Sequence, residues 1–382
     1  MADPECILTL WRELKAARAE SVLATVIAVE GSSYRRPGAM MLLAQDGRRA
    51  GTVSGGCLEA EVARRAWWLT AKGPTVQRYS TVEEDGDRPY GSGCGGVVWL
   101  LLERASTVKP LLEALERSFK QRLPLAVATI LEGERAGVRA FAGLESEQAS
   151  EQFRMSDDLL RESAERALAT RASMDEKISI GESEVRVWTE FRPARTGLWI
   201  FGAGDDAQPL LRLAKELGWY VAVADSRSHL VTRERFPLAD ELHVLSANSL
   251  AGRAPALANL HCQDVAIVMA HSFKQDSRAL ALLLALDLRL AYIGVLGPQR
   301  RTRELLAEAA RMIKNPADSK AATLDWVERK LAEIHAPTGL DLGADSPETI
   351  ALSVVAEIQK TVAAATARPL REVRAAAPVL LG

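Results

Sequence analysis

Cysteine, histidine and long apolar runs are all scarce in this chain of 382 residues. The four cysteines, Cys6, Cys57, Cys94 and Cys262, stand far apart, and no C-x-x-C pair or zinc-type Cys/His spacing occurs. So few scattered cysteines exclude a disulfide framework, and we expect reduced thiols. The formal net charge is only -2, so the composition gives no reason to expect a nucleic-acid partner.

The sequence also lacks a leader-like start and a membrane span. Met1 to Leu10 has neither a basic beginning nor a long apolar core. The most apolar stretch, Ala279 to Leu286, is stopped by Asp287 and is far shorter than a membrane span requires. It predicts a buried helix. We therefore expect a cytoplasmic protein.

The length predicts two domains. Residues 1–193 mix helical and strand-like segments, which predicts an α+β domain with a hairpin turn at Asp46-Gly47. The polar, helix-forming run from 145 to 177 contains no glycine or proline, so we expect a connecting helix near 150–172.

From Leu198 onward, short apolar strands alternate with amphipathic helices. This alternation is typical of an α/β fold, and it predicts a Rossmann-like, doubly wound parallel sheet over residues 197–365. Ser346 and Pro347 are placed as the N-cap and first residue of a late helix. Residues 366–382 are expected to form a loose tail.

The second domain carries a nucleotide-binding pattern directly after its first strand. Gly202 and Gly204 belong to "GAGDDA", which fits G-x-G-x-x-A, and Asp225 follows at about the distance of a ribose-binding acid. Asp205 and Asp206 oppose this interpretation. Their carboxylates are expected to cap the helix and repel a pyrophosphate, so these residues count against NAD(P) binding.

Further polar residues follow the ends of the later strands. His271 ends one strand and Asp276 follows it, while Gly297 ends another and precedes Arg301. The carboxyl ends of parallel strands meet at one edge of a sheet. Asp205, Asp225 and His271 are therefore expected to share a cleft. The alternative is that these residues are polar only because strand ends face water. On that interpretation Arg301, together with Arg300 and Arg303, forms a solvated helix face.

Two cysteines in the first domain have unusual neighbours. Cys57 follows Ser54, Gly55 and Gly56 and is expected at or just inside a helix N-terminus, where a thiol pKa falls and the thiolate can act as nucleophile or metal ligand. Glycines leave room for a ligand beside the backbone.

Cys94 is followed by Gly95 and Gly96. A lone cysteine is usually a small buried hydrophobe, but two with adjacent glycine pairs favour a functional thiol pair. Cys6 and Cys262 lack such a setting and are expected to be structural.

Several segments in both domains form a distinctive set. In the first domain they are "GSSYRRPGAMMLL", "DGRRAGTVSGGCLEAEV" and "GSGCGGVVWLLLE". In the second they are "IFGAGDDAQPL", "VADSR", "RFPLAD", "AHSFKQD", "YIGVLG" and "HAPTGLDLGADSPETIALSVVAEI". Together these segments resemble the XdhC/CoxI family of xanthine dehydrogenase accessory proteins. The sequence departs from the family pattern at Asp205, where many members have histidine, and at Pro298, where they have serine.

The resemblance implies a chaperone that binds the molybdenum cofactor (molybdopterin) and presents it for sulfuration by a cysteine desulfurase. It also implies delivery to a xanthine dehydrogenase-type apoenzyme. Cys57 and Cys94 are the candidate metal ligands, since molybdenum bound by a dithiolene accepts soft thiolates. The cofactor-binding residues predicted on this basis are Ser54, Gly55, Gly56, Cys57, Cys94, Gly95, Gly96, Gly202, Gly204, Asp205, Asp225 and His271.

Two other functions stay open on the sequence. One is an NAD(P)-dependent oxidoreductase that uses the Rossmann domain, and the other is a scaffold whose Rossmann domain is idle. A chaperone need not turn over a substrate, so whether the protein is an enzyme is left undecided. A homodimer is expected, because two-domain proteins of this kind are often symmetric.

Overall fold

The computed structural model describes residues 3–56, 58–80, 96–144, 158–180, 183–245, 257–286, 288–313 and 320–374. The chain divides into two compact units, Met1–Arg195 and Thr196–Gly382. Each unit has its own sheets and its own core.

The first unit is built from antiparallel sheets. Its elements are α1 Asp3–Ala16, β1 Ser21–Glu30, β2 Met40–Ala44, β3 Arg49–Gly51, α2 Glu59–Leu69, β4 Thr75–Ser80, β5 Val97–Arg104, α3 Ala105–Gln121, β6 Leu125–Ile130, β7 Arg139–Ala142, α4 Asp158–Thr170, β8 Met174–Ile180 and β9 Ser183–Arg192. The strand orders are β3-β2-β1-β5-β4 and β7-β6-β9-β8.

Helices cover both faces of the five-stranded sheet, which explains why β1 is apolar almost throughout. Successive side chains of a strand point to opposite faces. Val22 and Ala24 pack with residues of α2, whereas Leu23 packs with residues of α1 and α3. The predicted hairpin is confirmed, with β2 paired to β3 and Gly47 at φ 89° in the turn.

The four-stranded sheet is covered by α4. Leu160 and Ala164 of this helix pack against Ala126 and Ala128 of β6. The helix expected near 150–172 therefore belongs to the first unit's own core, and its residues before 158 lie outside the described part of the chain. The helix-forming run predicted up to residue 177 was wrong for residues 174–177, which belong to the edge strand β8.

A buried ion pair joins the two sheets. The side chains of Glu103 in β5 and Arg139 in β7 are almost fully buried and hydrogen-bonded to each other through both carboxylate oxygens. Removing either partner would leave an unpaired charge in the interior. The pair therefore fixes the relative position of β5 and β7.

The second unit contains one parallel sheet. Its elements are β10 Gly197–Phe201, α5 Ala207–Glu216, β11 Tyr220–Asp225, β12 Glu241–Val244, β13 Val265–Val268, α6 Phe273–Leu284, β14 Tyr292–Val295, α7 Gln299–Ile313, α8 Lys320–Glu333, α9 Pro347–Val362 and α10 Leu370–Arg374. The order β12-β11-β10-β13-β14 confirms the predicted Rossmann-like fold.

Helices cover both faces of this sheet. Residues of α6, α7 and α8 pack on one face, and residues of α5 and α9 pack on the other. The predicted start of α9 is confirmed, because Ser346 caps it through a reciprocal capping box with Thr349 and Pro347 follows. The buried helix predicted around Ala279 is confirmed as α6. In the described parts of the chain, no helix has both the length and the apolarity needed to cross a bilayer.

Candidate cofactor-binding site

We call residues 52–58, which contain Cys57, the thiol loop. Its described part is organised by Glu59, the first residue of α2. Its Oε1 atom accepts hydrogen bonds from the Ser54 amide at 2.8 Å and the Val53 amide at 3.2 Å, and from the Thr52 hydroxyl. Its Oε2 atom accepts from the Ser54 hydroxyl at 2.5 Å. One carboxylate therefore holds three consecutive residues that lead into the glycines.

Ser54 in turn restrains the part of the loop that follows it, through hydrogen bonds to its own hydroxyl. Its Oγ atom accepts hydrogen bonds from the Gly56 amide at 3.2 Å and the Leu58 amide at 3.1 Å. The residues on both sides of Cys57 thus bond to one hydroxyl. Ser54 was predicted as a ligand-binding residue, and the structure places its side chain within the loop's own hydrogen-bond network.

Glu59 is ionised under ordinary conditions although only 3% of its surface is exposed. Burial alone would raise the pKa of its carboxyl, but the hydrogen bonds from Ser54 and Thr52 outweigh burial and lower the pKa to about 2. The sequence analysis missed this residue. A carboxylate in the first turn of a helix is common, so its type and position did not distinguish it.

Cys57, Cys94 and Gly95 lie outside the described residues. Helix α2 begins at Glu59, two residues after Cys57 in the sequence. The described glycines that flank the two thiols are Gly55, Gly56 and Gly96.

Two of these glycines border the same stretch of chain. A Cβ atom on Gly55 would lie 2.9 Å from the Tyr34 ring, and one on Gly96 would lie 2.9 Å from the Ser32 carbonyl carbon. We call residues 32–34 the border segment. Gly55 is two residues from Cys57 and Gly96 is two residues from Cys94, so the border segment lies beside the flanks of both thiols.

Gly56 has a different setting. Its φ of 113° is in the region that favours glycine, and a Cβ atom there would meet no atom of a described residue within 4 Å. Glycine is required at this position by the backbone and not by crowding. The space beside it is open to a ligand.

The predicted residues of the second unit lie at the carboxyl edge of the parallel sheet. The strand order reverses between β10 and β13, which is where such sheets open a ligand crevice. Gly202 has φ 134°, and a Cβ atom there would lie 2.6 Å from the backbone of Met269 and Ala270. Gly202 therefore allows these two strand ends to approach, whereas Gly204 has open space beside it.

Asp225 is committed to protein contacts. It is 2% exposed, and its Oδ2 atom accepts from the Ala203 amide and from Arg227 Nη2, both at 2.7 Å. Its Oδ1 atom accepts from the amide and Nε of Arg227. Burial would raise the pKa of Asp225, but these hydrogen bonds outweigh burial and lower it. Both oxygens of the expected ribose-binding acid are thus occupied by the glycine loop and Arg227.

The expectation that the two aspartates cap helix α5 was wrong. Asp206 is the N-cap residue but its side chain makes no capping hydrogen bond, and its Oδ2 atom lies 3.0 Å from His271 Nε2. Asp205 is exposed and pairs with Arg235 at 2.8 Å. Each carboxylate pairs with a side chain across the crevice, Arg235 for Asp205 and His271 for Asp206. These partners compete with the amides at the helix start for the carboxylate oxygens.

The expected cleft is only partly assembled as predicted. His271 meets Asp206 directly, with a φ of 56° that is uncommon for residues other than glycine. Asp225 connects to the same strand end through Arg227, whose Nη2 atom lies 3.4 Å from the Ala270 carbonyl.

The arginines that follow β14 have separate roles. Arg301 donates to buried Asp276 at 2.5 Å, and Asp276 in turn accepts from the Ala270 amide. Arg300 and Arg303 instead form surface pairs with glutamates. Arg227 and Arg235 were missed as crevice residues. The only sequence indication was their occurrence in the "VADSR" and "RFPLAD" segments.

The two remaining cysteines differ in exposure. Cys6 is half-buried in α1, whereas Cys262 is exposed. An exposed thiol does not contribute to a core, so the structural role expected for Cys262 is not one of packing. Among the described residues, no group of three or more His, Cys, Asp or Glu side chains is arranged to hold a metal ion.

Comparison with known proteins covers both units. The model of the XdhC Rossmann domain matches residues 198–358, and that of the XdhC and CoxI family matches residues 14–80. A probable xanthine dehydrogenase subunit from Bacillus subtilis (strain 168) is 30% identical over 354 residues, covering 90% of this chain and 93% of the relative. The molybdenum cofactor insertion chaperone PaoD from Escherichia coli (strain K12) is 25% identical, covering 93% and 88%.

A solved structure is similar over nearly the whole chain. The crystal structure of a xanthine dehydrogenase from Bacillus halodurans has a TM-score of 0.67 and 28% identity, covering 98% of this chain and all of the other. The fold and site thus define a two-unit protein in which a Rossmann domain follows an α+β domain with a glycine-rich thiol loop. The chain belongs to the XdhC/CoxI family.

Proposed function

We propose that this protein is an accessory chaperone that carries the molybdenum cofactor as cargo and delivers it to a xanthine dehydrogenase-type apoenzyme. The names of two relatives support this role, one a cofactor insertion chaperone and the other a xanthine dehydrogenase component. The cargo is proposed to bind at the thiol loop, with Cys57 and Cys94 as the thiolates that contact its molybdenum.

The observation that carries the proposal is the border segment shared by the two glycine-rich stretches. Tyr34 lies beside Gly55, and Ser32 lies beside Gly96. Cys57 and Cys94 are each two residues in the sequence from one of these glycines, and on this basis we propose that both thiols serve one site. A site of this kind suits a metal with soft-ligand affinity.

The loop also fits the group in shape and rigidity. Gly56 leaves open space, and Ser54 and Glu59 fix the backbone on both sides of Cys57. A preorganised backbone reduces the entropy lost when a ligand is bound. The cargo supplies the molybdenum centre to its client enzyme. The residues of this chain bind it and orient it.

We further propose that the bound cargo is presented for sulfuration by a cysteine desulfurase. Presentation requires the molybdenum end to stay accessible to a second protein. Tyr34 is 71% exposed at the edge of the border segment, which supports an accessible site.

For the Rossmann unit we propose weak or absent NAD(P) binding. Asp225, the residue expected to bind a ribose, has both carboxylate oxygens occupied by Arg227 and the glycine loop. Asp205 and Asp206 add two carboxylates where a pyrophosphate would rest. This arrangement counts against the alternative oxidoreductase function. The crevice residues Gly202, Gly204, Asp225 and His271 remain candidates for a different ligand.

We also propose that the protein acts as a homodimer. Symmetric dimers are the commonest assembly of soluble chains, and a docking surface can be shared across a twofold axis. Light scattering of the purified protein is expected to give twice the chain mass. A monomer at working concentration would contradict the dimer and leave the cargo proposal intact.

Cys57→Ala tests the central assignment. The variant is expected to fold normally, because Ser54 and Glu59 hold the loop without the sulfur, and to lose the cargo on gel filtration. Cys94→Ala is expected to weaken retention, while Cys6→Ala and Cys262→Ala serve as controls that retain it. The second readout is recovery of activity in an apo molybdenum hydroxylase. Full retention and full recovery with Cys57→Ala would refute the role of this thiol.

A further inference from the structure

A cavity of about 430 Å³ opens beside the border segment, in the first unit. Three arginines, Arg35, Arg36 and Arg192, line it together with Tyr34 and Gly38. We call it the arginine cavity. The remaining lining residues are Pro4, Ile7, Pro37, Ala39 and Met40.

The cavity is strongly cationic. No carboxylate is found among its lining residues in the described part of the chain. Glu190, just behind Gly38, pairs with Arg192 at 2.7 Å and offsets one of the three positive charges. Arg36 is exposed and forms no ion pair with any described residue. The guanidinium charge of Arg36 is therefore available to an anionic ligand.

Arg192 also has an unused donor. Its Nη2 atom donates to the Gly38 carbonyl at 2.7 Å and pairs with Glu190, but its buried Nε atom has no hydrogen-bond partner among the described residues. A buried guanidinium donor without an acceptor is unfavourable. An anionic ligand would supply the missing acceptor.

The backbone that presents the arginines is fixed by short-range contacts. Ser33 Oγ accepts from the Arg35 amide at 3.3 Å and donates to the Arg35 carbonyl at 3.0 Å. The Gly38 amide donates to the Val26 carbonyl at 2.8 Å, which anchors the end of the segment to β1. The cationic wall is thus part of the ordered fold.

Tyr34 connects the arginine cavity to the thiol loop. It lines the cavity, and its ring lies 2.9 Å from where a Cβ atom of Gly55 would be. A single ligand could therefore place one group in the cavity and another beside the glycines.

We propose that the arginine cavity binds a phosphate monoester, and that this group belongs to the cargo. The inference rests on the proposed function. Planar guanidinium groups bind phosphate oxygens through paired hydrogen bonds, which makes arginine the preferred partner of this group. The pterin cargo carries a phosphate monoester besides its dithiolene. Free phosphate shares the chemistry, so the test must separate the two sources.

The test uses titration calorimetry with three probes. They are inorganic phosphate, the fluorescent oxidised pterin prepared from the cofactor with its phosphate intact, and the same pterin after phosphatase treatment. The oxidised pterin lacks a free dithiolene, so its binding does not depend on Cys57. The unaltered protein is expected to bind the phosphorylated pterin at least roughly tenfold more tightly than the dephosphorylated form, as expected for hydrogen bonds to a charged group.

The Arg35→Gln/Arg36→Gln double variant is expected to lose this preference. Arg64→Gln is the matched control, because it removes a positive charge from α2 where Arg64 pairs with Glu61 on the surface. The control is expected to keep the preference. Protection of Arg36 from phenylglyoxal by the phosphorylated pterin, mapped by mass spectrometry on the unaltered protein, gives a second measurement that needs no variant.

Each outcome decides the inference. Equal binding of the two pterins, or no protection of Arg36, would overturn it. Tight binding of inorganic phosphate without a preference for the phosphorylated pterin would also overturn the assignment to the cargo. If the phosphorylated pterin binds through the arginines but intact cofactor is not retained, the inference stands and the proposed function fails. If intact cofactor is retained but the phosphorylated pterin does not bind through the arginines, the inference fails and the proposed function stands.

Discussion

Replacing Glu59 with glutamine is expected to loosen the thiol loop by an amount that depends on pH. Burial would raise the pKa of Glu59, but the hydrogen bonds from Ser54 and Thr52 outweigh it and lower the pKa from 4.5 to about 2. Each tenfold change in a proton dissociation constant is worth about 1.4 kcal/mol, so the charged carboxylate contributes roughly 3 kcal/mol near neutral pH. Glutamine keeps one acceptor oxygen and loses the charge, so the expected loss approaches this value.

The sign of the pH dependence follows from the lowered pKa. A carboxylate with a depressed folded-state pKa stabilises the fold at pH values above 4.5. This stability is lost as the pH falls through about 2. At about pH 3.5 the contribution of Glu59 falls to roughly 2 kcal/mol. The difference between the unaltered protein and Glu59→Gln is therefore expected to shrink on acidification, because glutamine does not titrate.

Hydrogen exchange measured by mass spectrometry is the appropriate assay. It reports the free energy of local opening for a peptide that includes Val53 and Ser54, without requiring the two-unit chain to unfold in one step. Glu61→Gln is the matched control, since Glu61 lies on the same helix but pairs with Arg64 at the surface. Its expected effect is below about 1 kcal/mol. Equal exchange in both variants, or a difference that does not shrink at low pH, would refute the reasoning.

Two predictions concern the Rossmann unit. Gly202→Ala is expected to destabilise this unit by about 1–3 kcal/mol, because the φ of 134° and the 2.6 Å approach to the Met269 and Ala270 backbone both exclude a Cβ atom. Gly204→Ala, with open space at that position, is the near-neutral control in thermal unfolding. Equal melting temperatures of the two variants would contradict the prediction. Titration of NADH and NADPH against tryptophan fluorescence is expected to show no micromolar binding; saturable binding with hydride transfer to an acceptor would favour the oxidoreductase instead.

The sequence predicted the interior strands and missed most of those at sheet edges. Strands β1, β10, β11 and β13 are almost fully buried, and their apolar runs made them evident. The four missed strands, β4, β7, β8 and β12, all lie at the edge of a sheet. An edge strand keeps polar and charged residues, because part of its surface faces water.

Strand β8 illustrates the physical reason for one error. Its sequence MDEKISI begins with three charged residues after Met174, and local propensity favours a helix there. Pairing with β9 along the whole strand overrides that propensity. Such long-range pairing is not visible in the local pattern.

The candidate site divides in a similar way. The glycines and cysteines could be selected from sequence, because Gly-Gly beside cysteine at a strand–helix junction is an unusual pattern. Glu59 and Arg227 bond to residues close to them in the sequence, but their residue types are common at such positions, so the sequence did not distinguish them. Arg235 could not be selected, because its contact with Asp205 is made only after the chain folds back. The capping role expected of Asp205 and Asp206 was wrong for the same reason. Their partners Arg235 and His271 come from distant segments.

The pairing of β1 with β5 determines when the border of the thiol loop can form during synthesis. Ser32 follows β1 and Gly96 precedes β5, so they meet only after the chain up to about Arg104 has left the ribosome. The contacts of Glu59 with Thr52 and Ser54 span only a few residues and can form as soon as that region emerges. An unfinished chain can therefore hold the thiol loop in place before the border segment has made its contact with Gly96.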